Sequence, residues 1–552
     1  MSLDPLNVLS NILKVMNDFF IRAEDIQESD ILSLYVESSF DRVIIDKLKG
    51  KMPTIIVGSR GVGKSFLMHV ASSELTKDFQ TARCLPIYIT LSKSSLIKVT
   101  KPNTFFSWMM ATISSATLRA LKKMGLLVKP SAEIDLLAGE KYQDNQVLLI
   151  ETIRNKYEES WRNTEEVDDT YVPTVEDFKS AISEICEELG LKRIVLFIDE
   201  AAHVFIREQQ EAFFTLFRDL RCPLITCHAA VYPGVTAYGT VFQPKEDAQF
   251  VYMNRDVNAA DYVEYMRQMI EKQEPESSLL KDISKNGEYF NIVACAASGN
   301  PRHLLKIISR LTKFNSTNIN QALKEFYKGD MYTEHSELAQ KYPALQTLIN
   351  WGRNFVEDVL VPDFYERNSD ALISDPKKTT MCYFWVHQNA PESVKRALNI
   401  LEYTGLIQEH TRCLKGSHSE IGTRYLLNLG CLFAAEANPL TLAFEIKKRF
   451  SAKVFKEFGI NNPVYDEIKD CPEALNQNDV TQSLKEMMTK SVNVLDLSHK
   501  MKDKLKGLGL NTIQDVYNAP ESKLMEAYYV GQKRARQMKA VAMASVYEYL
   551  IG

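Results

Sequence analysis

One stretch near the start of the 552-residue chain combines closely spaced glycines with a lysine and a hydroxyl side chain. Residues 58–65 read Gly-Ser-Arg-Gly-Val-Gly-Lys-Ser and fit the pattern G-x-x-x-x-G-K-[ST]. In this pattern backbone N–H groups converge on phosphate oxygens, the lysine reaches the β- and γ-phosphates, and the hydroxyl of Ser65 coordinates Mg²⁺. A glycine-rich turn that binds nothing is the alternative. The predicted phosphate-binding residues are Gly58, Ser59, Arg60, Gly61, Val62, Gly63, Lys64, Ser65 and Phe66.

A pair of carboxylates further along the chain could complete a site for phosphate chemistry. Asp199 and Glu200 directly follow the apolar run Ile194–Ile198. Asp199 is placed to hold Mg²⁺, usually through water, and Glu200 is placed to activate the attacking water as a general base. An apolar strand that merely ends in an acidic turn is the alternative. The Asp-Glu pair favours hydrolysis of ATP over passive nucleotide binding.

Two further positions carry polar groups that could sense the γ-phosphate. Thr226 and His228 stand at the end of the apolar run Pro223–Cys227, and local hydrogen bonding explains them equally well. Arg302 stands in the first turn of a helix that a Gly-Asn-Pro sequence opens, from which it could reach back to a phosphate. An exposed arginine on a capped surface helix is the alternative there.

The elements that must position these residues alternate between strands and helices. Thr54–Val57 and Ile194–Ile198 are short apolar runs typical of buried parallel strands, and Leu85–Thr90 is a further candidate. Thr174 and Asp177 form a capping-box pattern that opens the helix before the carboxylate strand. The order predicts an α/β P-loop NTPase of the ASCE type with a parallel sheet, a helical insertion at about 101–171 and an α-helical lid.

The motifs together carry a resemblance to a known family. GSRGVGKS, VLFIDE and SGNPRHLL, in this order, resemble an AAA+/STAND-type ATPase. The upstream segment RAEDIQESDILSLYVESSFDRVIIDKLKG is similar to the lead-in of origin-recognition-type initiator ATPases and their bacterial relatives. The resemblance covers about residues 20–330. It implies an ATP-driven switch whose helical lid carries a sensor arginine, which by match to the motif is Arg302.

One departure from this family concerns the arginine finger that ring ATPases place after the sensor strand. Between His228 and Asn254 the chain has no arginine, and Lys245 is the only basic residue. A finger contributes orders of magnitude to phosphoryl transfer, so its absence predicts slow hydrolysis or a residue supplied from elsewhere. Arg218 and Arg221 are candidates late on a predicted helix, Val204–Arg221. STAND-type switches also lack this finger, although they usually carry an arginine where this chain has His228.

The segment 331–450 has the order helix, short strand, polar turn, strand and resembles a winged-helix module. Its predicted helix ends at Gly405 and carries Lys395 and Arg396, and its turn carries Arg412, Lys415 and His418. Such folds bind DNA or partner proteins, and a packing or oligomerisation module without nucleic acid is the alternative. Residues 451–495 are predicted to be a helical linker.

The last residues, 496–552, resemble a tandem helix-hairpin-helix domain. Nine Lys and Arg residues against five Asp and Glu residues give the segment from residue 500 a net charge of +4, whereas the whole chain carries −5. Hairpin glycines present N–H groups to DNA phosphates, and nearby cations add charge. In the second hairpin Tyr529 stands where the first glycine is usual. A small protein-interaction domain is the alternative. The candidate DNA-binding residues here are Gly507, Gly509, Gly531, Lys533, Arg534 and Arg536.

Composition excludes several classes of protein. No apolar run approaches the roughly 18 residues of a membrane-spanning helix, and the N-terminus lacks a signal-peptide pattern. The nine cysteines are scattered without a C-x-x-C pair, which points to a reducing cytoplasm and away from zinc. We therefore expect no contact with a membrane and a cytoplasmic location.

The chain is thus predicted to divide into a lead-in (1–45), an ATPase core (46–260), a lid (261–330), the winged-helix-like segment, the linker and the C-terminal domain. Three functions fit this division. The favoured one is an ATPase that couples nucleotide state to double-stranded DNA. The others are a STAND-like switch in which ATP drives homo-oligomer assembly, and an adaptor that docks an effector protein.

Overall fold

A sheet of five parallel strands forms the centre of the N-terminal half. The computed structural model describes residues 19–97, 103–127, 131–143, 146–160, 166–201, 205–275, 277–374, 378–415, 420–471, 487–495, 497 and 499–551. The strands are β1 (Thr54–Val57), β2 (Cys84–Thr90), β3 (Arg193–Asp199), β4 (Ile225–Val231) and β5 (Gln249–Tyr252). Their spatial order is β2-β3-β4-β1-β5. The predicted α/β P-loop NTPase fold is therefore confirmed, and β4 lies between the P-loop strand β1 and the carboxylate strand β3.

The register of the sheet decides which residues share its functional edge. Val57 pairs with Val231 and Thr90 pairs with Asp199, so the carboxyl ends of β1 to β4 lie level with one another. Every residue of β1, β3 and β4 is buried, which explains the continuous apolar runs of these segments. The residues that follow these strands therefore meet at one edge of the sheet.

Helices cover both faces of this sheet and supply its lead-in. The capping box predicted at Thr174 and Asp177 is present, and both of its hydrogen bonds form. The helices of this half are α1 (Ile31–Leu34), α2 (Ser39–Lys49), α3 (Lys64–Lys77), α4 (Phe79–Ala82), α5 (Thr104–Lys123), α6 (Ala132–Ala138), α7 (Leu149–Glu158), α8 (Val175–Leu189), α9 (Arg207–Asp219) and α10 (Pro244–Asp247). The described residues between 101 and 171 include α5, α6 and α7, and α9 is shorter than the helix predicted at 204–221.

A helical region follows the five-stranded sheet. This helical region shares one hydrophobic core with the winged-helix-like segment that comes after it. Its helices are α11 (Tyr262–Gln273), α12 (Ser278–Lys285), α13 (Gly287–Ala296), α14 (Pro301–Ile308), α15 (Ser316–Lys324), α16 (Met331–Lys341), α17 (Gln346–Asn354) and α18 (Val361–Ser374). A π-helical stretch, Glu325–Asp330, joins α15 directly to α16. The boundary predicted between residues 330 and 331 therefore falls inside a continuous helical run, and one buried cluster spans both sides of it.

A second sheet forms the part that resembles a winged helix. Strands β6 (Tyr383–His387), β7 (Ile407–Lys415), β8 (Ile421–Leu427) and β9 (Phe455–Phe458) lie in the order β7-β8-β6-β9. The predicted helix appears as α19 (Glu392–Thr404) and ends at Gly405, which is left-handed with a φ of 82°. Helices α20 (Leu429–Phe433) and α21 (Pro439–Arg449) follow β8.

The prediction of a helical linker over 451–495 is wrong for its first part. Strand β9 pairs in parallel with β6, because the aromatic side chains of Phe455 and Phe458 complete the core beneath the second sheet. Residues 472–486 lie outside the described residues. In the described part of the chain no helix is long and apolar enough to cross a membrane.

The C-terminal segment folds into four helices around a separate hydrophobic cluster. They are α22 (His499–Gly507), α23 (Ile513–Asn518), α24 (Glu521–Leu524) and α25 (Gln532–Ile551). The cluster contains residues of these helices and also Leu96, which belongs to the short turn after β2. The C-terminal helices therefore pack against the ATPase half beside the carboxyl end of β2.

Candidate functional site

The glycine-rich loop joins β1 to α3 at the functional edge of the sheet. Gly61 and Gly63 have left-handed φ values of 85° and 99°, a conformation that glycine adopts without strain. A Cβ atom on Gly61 would lie 2.6 Å from the Cβ atom of Arg302, so the lid backbone approaches the loop too closely for any side chain there. Helix α3 begins at Lys64, and its N-terminus faces the loop.

Lys64 is buried within this loop. Its Nζ donates to the carbonyl oxygens of Gly58 at 2.6 Å and of Ser59 at 3.0 Å. The same nitrogen lies 4.0 Å from the centroid of the Tyr232 ring. Burial lowers the pKa of Lys64 to about 8, although Glu200 and Asp199 oppose this shift. An anionic phosphate at this position would raise the pKa of Lys64 again and favour its charged form further.

The two predicted carboxylates, Asp199 and Glu200, lie at the end of β3 and have different hydrogen-bond partners. Asp199 accepts a hydrogen bond of 2.5 Å from the hydroxyl of Tyr88 and one of 2.8 Å from the backbone N–H of Glu200. Glu200 has a left-handed φ of 55°, and both of its carboxylate oxygens lie 3.1 Å from the hydroxyl of Tyr232. Burial, followed by repulsion from Asp199, raises the pKa of Glu200 to about 7.

Most of the predicted phosphate-binding residues line one cavity of about 550 Å³, whereas Gly58, Ser59, Val62 and Asp199 do not contribute to its wall. Lys64, Ser65, Glu200 and Arg302 all contribute to its wall, which places the loop, the carboxylate strand and the lid around one space. The N-terminal segment at 20–26 forms another part of the wall. A volume of several hundred Å³ is in the range of small-molecule sites.

The environment of Arg302 indicates whether the cavity suits an anionic ligand. Asn300 caps α14, and its side chain accepts from the N–H groups of Arg302 and His303, with Pro301 at the first helical position as predicted. The Nε of Arg302 is buried, and it has no hydrogen-bond partner among the described residues. Burial, then repulsion from Arg60, lowers the pKa of Arg302. A buried guanidinium of this kind fits a phosphate ligand.

The donors for a divalent cation are few but of the right kind. Ser65 and Asp199 offer a hydroxyl and a carboxylate, which are oxygen ligands that Mg²⁺ accepts, and Mg²⁺ usually needs only one or two carboxylates besides phosphates and water. Within the described residues there is no group of three or more His, Cys, Asp or Glu side chains that could hold a metal ion by itself. The site therefore fits a cation that arrives with a nucleotide.

The structure does not bring Thr226 or His228, the two candidate phosphate sensors, to the wall of the cavity. Strand β4 runs on to Val231, and His228 pairs with Thr54 at the start of β1, three residues before the strand ends. Its imidazole stacks on Phe197 at 5.5 Å between ring centroids, and neither ring nitrogen has a hydrogen-bond partner in the described part of the protein. Burial lowers the pKa of His228 to about 3. Thr226 accepts a bond of 3.4 Å from Arg193.

Tyr232 stands at the end of β4, where Thr226 or His228 was expected. It follows β4 directly and lies between Lys64 and Glu200, with 3% of its surface exposed. The sequence signal was the buried small run Ala229-Ala230-Val231, which extends the strand beyond Cys227. Because β4 is longer than the predicted run Pro223–Cys227, Tyr232 rather than Thr226 or His228 follows the end of the strand.

The first arginine after the sensor strand has a structural role within this chain. Arg255 forms a buried ion pair of 2.7 Å with Asp41 and donates at 2.7 Å to the carbonyl oxygen of Val62. It links the lead-in helix α2 to the phosphate-binding loop. Arg218 and Arg221 lie at the end of α9, next to the start of β4 and hence at the opposite edge of the sheet.

The downstream half closes over the phosphate-binding loop. The backbone N–H of Arg60 donates to the carbonyl oxygen of Tyr403 at 3.2 Å, and Asn399 donates to the carbonyl oxygen of Gly234 at 3.0 Å. Both Tyr403 and Asn399 belong to α19, so the helix that carries Lys395 and Arg396 packs against the ATPase half. Lys395 and Arg396 on this helix are half-buried, and Lys395 pairs with Glu392 at 2.6 Å.

The turn of the winged-helix-like part is described only on its flanks. Arg412 pairs with Glu409 at 2.6 Å, and the side chain of Lys415 and the whole of His418 lie outside the described residues.

Lys341 is a buried lysine near Glu200 that the sequence did not reveal. It is the last residue of α16 and is 3% exposed. Burial lowers its pKa well below the usual range, repulsion from Arg60 acts in the same direction, and attraction to Glu200 opposes it. The downstream half therefore places a buried amine where Glu200 and Arg60 influence its protonation.

The C-terminal helices form two hairpins with one left-handed residue in each turn. These residues are Gly509, with a φ of 76°, and Tyr529, with a φ of 59°, while Gly507 and Gly531 are not left-handed. In conformation, Tyr529 of the second hairpin thus corresponds to Gly509 of the first. Lys533 lies outside the described side chains.

Two of the candidate DNA-binding arginines have protein partners. Arg534 donates to the carbonyl oxygen of Tyr529 at 2.7 Å, and Arg536 lies 3.4 Å from Glu521. Gly531 is exposed, and a Cβ atom on Gly507, Gly509 or Gly531 would meet open space.

Comparisons with solved structures return archaeal ATPases at low similarity. A Walker-type ATPase of Pyrococcus abyssi is 12% identical with a TM-score of 0.38, and the match covers 78% of this chain and 99% of that one. The Aeropyrum pernix ORC1 protein in complex with DNA is 13% identical with a TM-score of 0.32, over 78% and 97% of the two chains. The Aeropyrum pernix ORC2 protein, in ADPNP–ADP complexes, is 10% identical with a TM-score of 0.34, over 79% and 96%. Because these TM-scores are low, the assignment of the fold is based on the strand order of the sheet and not on these structures.

The family comparison concerns the lead-in and the phosphate-binding loop. Residues 20–100 match the family model described as ORC-CDC6-like. The search of curated proteins gives no match. The resemblance to origin-recognition-type ATPases that the motifs predict is therefore confirmed over residues 20–100, the part of the chain that carries the lead-in helices and the phosphate-binding loop.

Proposed function

We propose that the protein hydrolyses ATP and couples its nucleotide state to the binding of double-stranded DNA by the C-terminal helices. The observation that carries the proposal is the composition of one cavity wall. Met543 of α25 lines the same cavity as Lys64, Ser65 and Glu200. A ligand in this cavity would thus touch both the loop that binds phosphate and the longest helix of the hairpin domain.

A second contact supports the same coupling. Ser92 and Lys93 line the cavity, and Leu96, three residues after Lys93, is 7% exposed within the hydrophobic cluster of the C-terminal helices. A shift of this turn when nucleotide binds would be transmitted to a packed cluster, because packed cores change between discrete arrangements.

The chemistry proposed for the site uses residues of this chain. Ser65 and Asp199 would hold Mg²⁺, which supplies positive charge to phosphate oxygens. Lys64 and Arg302 bind the phosphates, and Glu200 takes a proton from the attacking water. Tyr232 holds the Glu200 carboxylate by its hydroxyl, and Tyr403, packed against Tyr232 at 4.7 Å between ring centroids, covers this side of the site.

A titration of ATP turnover with duplex DNA tests this function. Wild type is expected to hydrolyse ATP and to change its turnover when DNA is added, while Glu200→Gln binds ATP but loses turnover by about 100-fold or more. Turnover that is independent of DNA, combined with no DNA binding at low salt, would exclude the proposal.

A second candidate function is an assembly switch with little hydrolysis. The buried pairing of Arg255 with Asp41 favours it, because this arginine is then unavailable to a neighbouring subunit. Mass measurements with ADP and with a non-hydrolysable ATP analogue separate the two functions. A switch changes its oligomeric state with the analogue, and an unchanged mass argues against it.

A further inference from the structure

The turn of the second hairpin exposes a group of large side chains that the fold does not use. Tyr528 is 81% exposed, Tyr529 is 72% exposed and Met525 is 45% exposed. We call these three residues the tyrosine patch. The two tyrosine rings lie edge to face with 4.5 Å between their centroids. The patch is thus an aromatic surface at a turn, and its members lie outside the cluster that holds the C-terminal helices together.

The backbone of the second hairpin turn places a tyrosine in a conformation that usually requires glycine. Tyr529 has a φ of 59°, a left-handed conformation in which a side chain other than glycine is disfavoured. At the corresponding position of the first hairpin, the left-handed residue is Gly509. Strained residues with exposed side chains concentrate at sites of binding, since the surrounding structure must hold them in place.

The charge around the tyrosine patch identifies the kind of ligand. Residues 521–539 contain five Lys and Arg residues and two Glu residues. The side chain of Arg534 is exposed beside the patch, fixed through its bond to the carbonyl oxygen of Tyr529, and in the described part of the chain it forms no ion pair with a carboxylate. Aromatic rings beside cations match the flat bases and the anionic backbone of single-stranded nucleic acid.

We propose that the second hairpin binds unpaired DNA bases by stacking them on Tyr528 and Tyr529, while Arg534 contacts the adjacent phosphate. This inference rests on the proposed function, in that the C-terminal helices bind DNA. It makes the preferred ligand a duplex that continues into a single strand, with the duplex on the first hairpin and the unpaired bases on the tyrosine patch.

Binding of the full chain to two labelled DNAs tests this inference. One DNA is a blunt duplex, and the other is the same duplex with a single-stranded overhang. Base stacking on one aromatic side chain contributes enough that its removal weakens binding by roughly 5- to 100-fold. Wild type should therefore bind the overhang DNA more tightly by this factor, and Tyr528→Ala combined with Tyr529→Gly should bind both DNAs equally.

The controls separate failure of this inference from failure of the proposed function. Tyr529→Gly removes backbone strain, so its unfolding midpoint should not fall. Tyr171→Ala removes a tyrosine of the ATPase half that is 55% exposed and should not affect binding of either DNA. If wild type binds neither DNA, the proposed DNA function fails and this inference with it. If it binds both equally, only the inference is overturned, and the patch then fits a partner protein.

Discussion

The hydroxyl of Tyr232 lies 3.1 Å from each carboxylate oxygen of Glu200, and the ring of the same tyrosine lies 4.0 Å from Nζ of Lys64. A single side chain at the end of β4 therefore contacts both the proposed general base and the proposed phosphate-binding lysine. Because Glu200 is held in a left-handed backbone conformation, its position depends on such external support.

Tyr232→Phe should lower the turnover of ATP while leaving the affinity for ATP nearly unchanged. The lost hydrogen bond to a carboxylate corresponds to about 1.5–3 kcal/mol, so we expect a decrease in kcat of about 10-fold or more. Steady-state kinetics measure it. Tyr238→Phe, which removes a hydroxyl from a tyrosine packed on Phe214 and Phe242, is the matched control. Equal kcat values for wild type and Tyr232→Phe would show that Tyr232 does not position Glu200.

Arg302→Gln should weaken ATP binding. The buried Nε of Arg302 has no partner among the described residues, so a phosphate would gain a charge-assisted bond of about 1.5–3 kcal/mol, and its loss should raise Kd by about 10-fold or more. Calorimetric titration with a non-hydrolysable analogue measures this. Arg310→Gln, just after the same helix and paired with Asp330, should bind like wild type. An unchanged Kd in Arg302→Gln would place the phosphates elsewhere.

His228 should make the protein sensitive to acid without affecting catalysis. Its pKa is about 3 when folded and about 6.5 when unfolded, so between these values only the unfolded chain binds the proton. The free energy of unfolding should therefore fall as the pH falls below about 6.5, by up to about 1.4 kcal/mol per pH unit for this residue.

Urea unfolding at a series of pH values tests this effect. His228→Leu should show a shallower loss of stability between about pH 6.5 and pH 4.5 than wild type, with normal turnover at neutral pH. A parallel pH dependence would mean that His228 is not buried in its neutral form. If the folded His228→Leu variant lost ATP turnover, His228 would instead have a role in sensing the γ-phosphate.

Asp41→Ala should destabilise the protein strongly, because it leaves the guanidinium of Arg255 buried without its partner. Removing one member of a buried pair costs about 3–5 kcal/mol. Asp46→Ala removes an exposed carboxylate from the same helix, where it pairs with Arg42, and should change the unfolding free energy by less than about 1 kcal/mol. Denaturant melts of both variants decide the matter, and similar values for the two would contradict a buried pair.

The sequence predicted those parts of the site that are encoded locally. Residues 58–65 and the Asp-Glu pair after β3 are contiguous patterns whose spacing fixes their geometry, and both line or border the cavity. Arg302 was also found, because the Gly-Asn-Pro turn defines the start of its helix. A local pattern sufficed wherever a residue stands directly beside a strand or helix end.

The residues that the sequence missed are brought to the site by long-range packing. Tyr232 reaches the site because β4 continues from Cys227 to Val231, an extension that the predicted apolar run does not specify. Lys341 and Met543 come from helices more than 100 residues away from Glu200, and their neighbours in sequence give no sign of a ligand site. The packing of α19 on the ATPase half likewise follows from the whole fold, since its own pattern fits a DNA-reading helix equally well.

The central claim, that nucleotide in the cavity controls DNA binding by the C-terminal helices, is tested most directly by duplex affinity at fixed salt with ADP and with a non-hydrolysable ATP analogue. Linkage requires the two affinities to differ, and typical coupling predicts a ratio of about 5-fold or more. Met543→Ala should bring the ratio close to one, while Met501→Ala, in the same domain but outside the cavity wall, should keep it. Equal duplex affinities for wild type with both nucleotides would contradict the account.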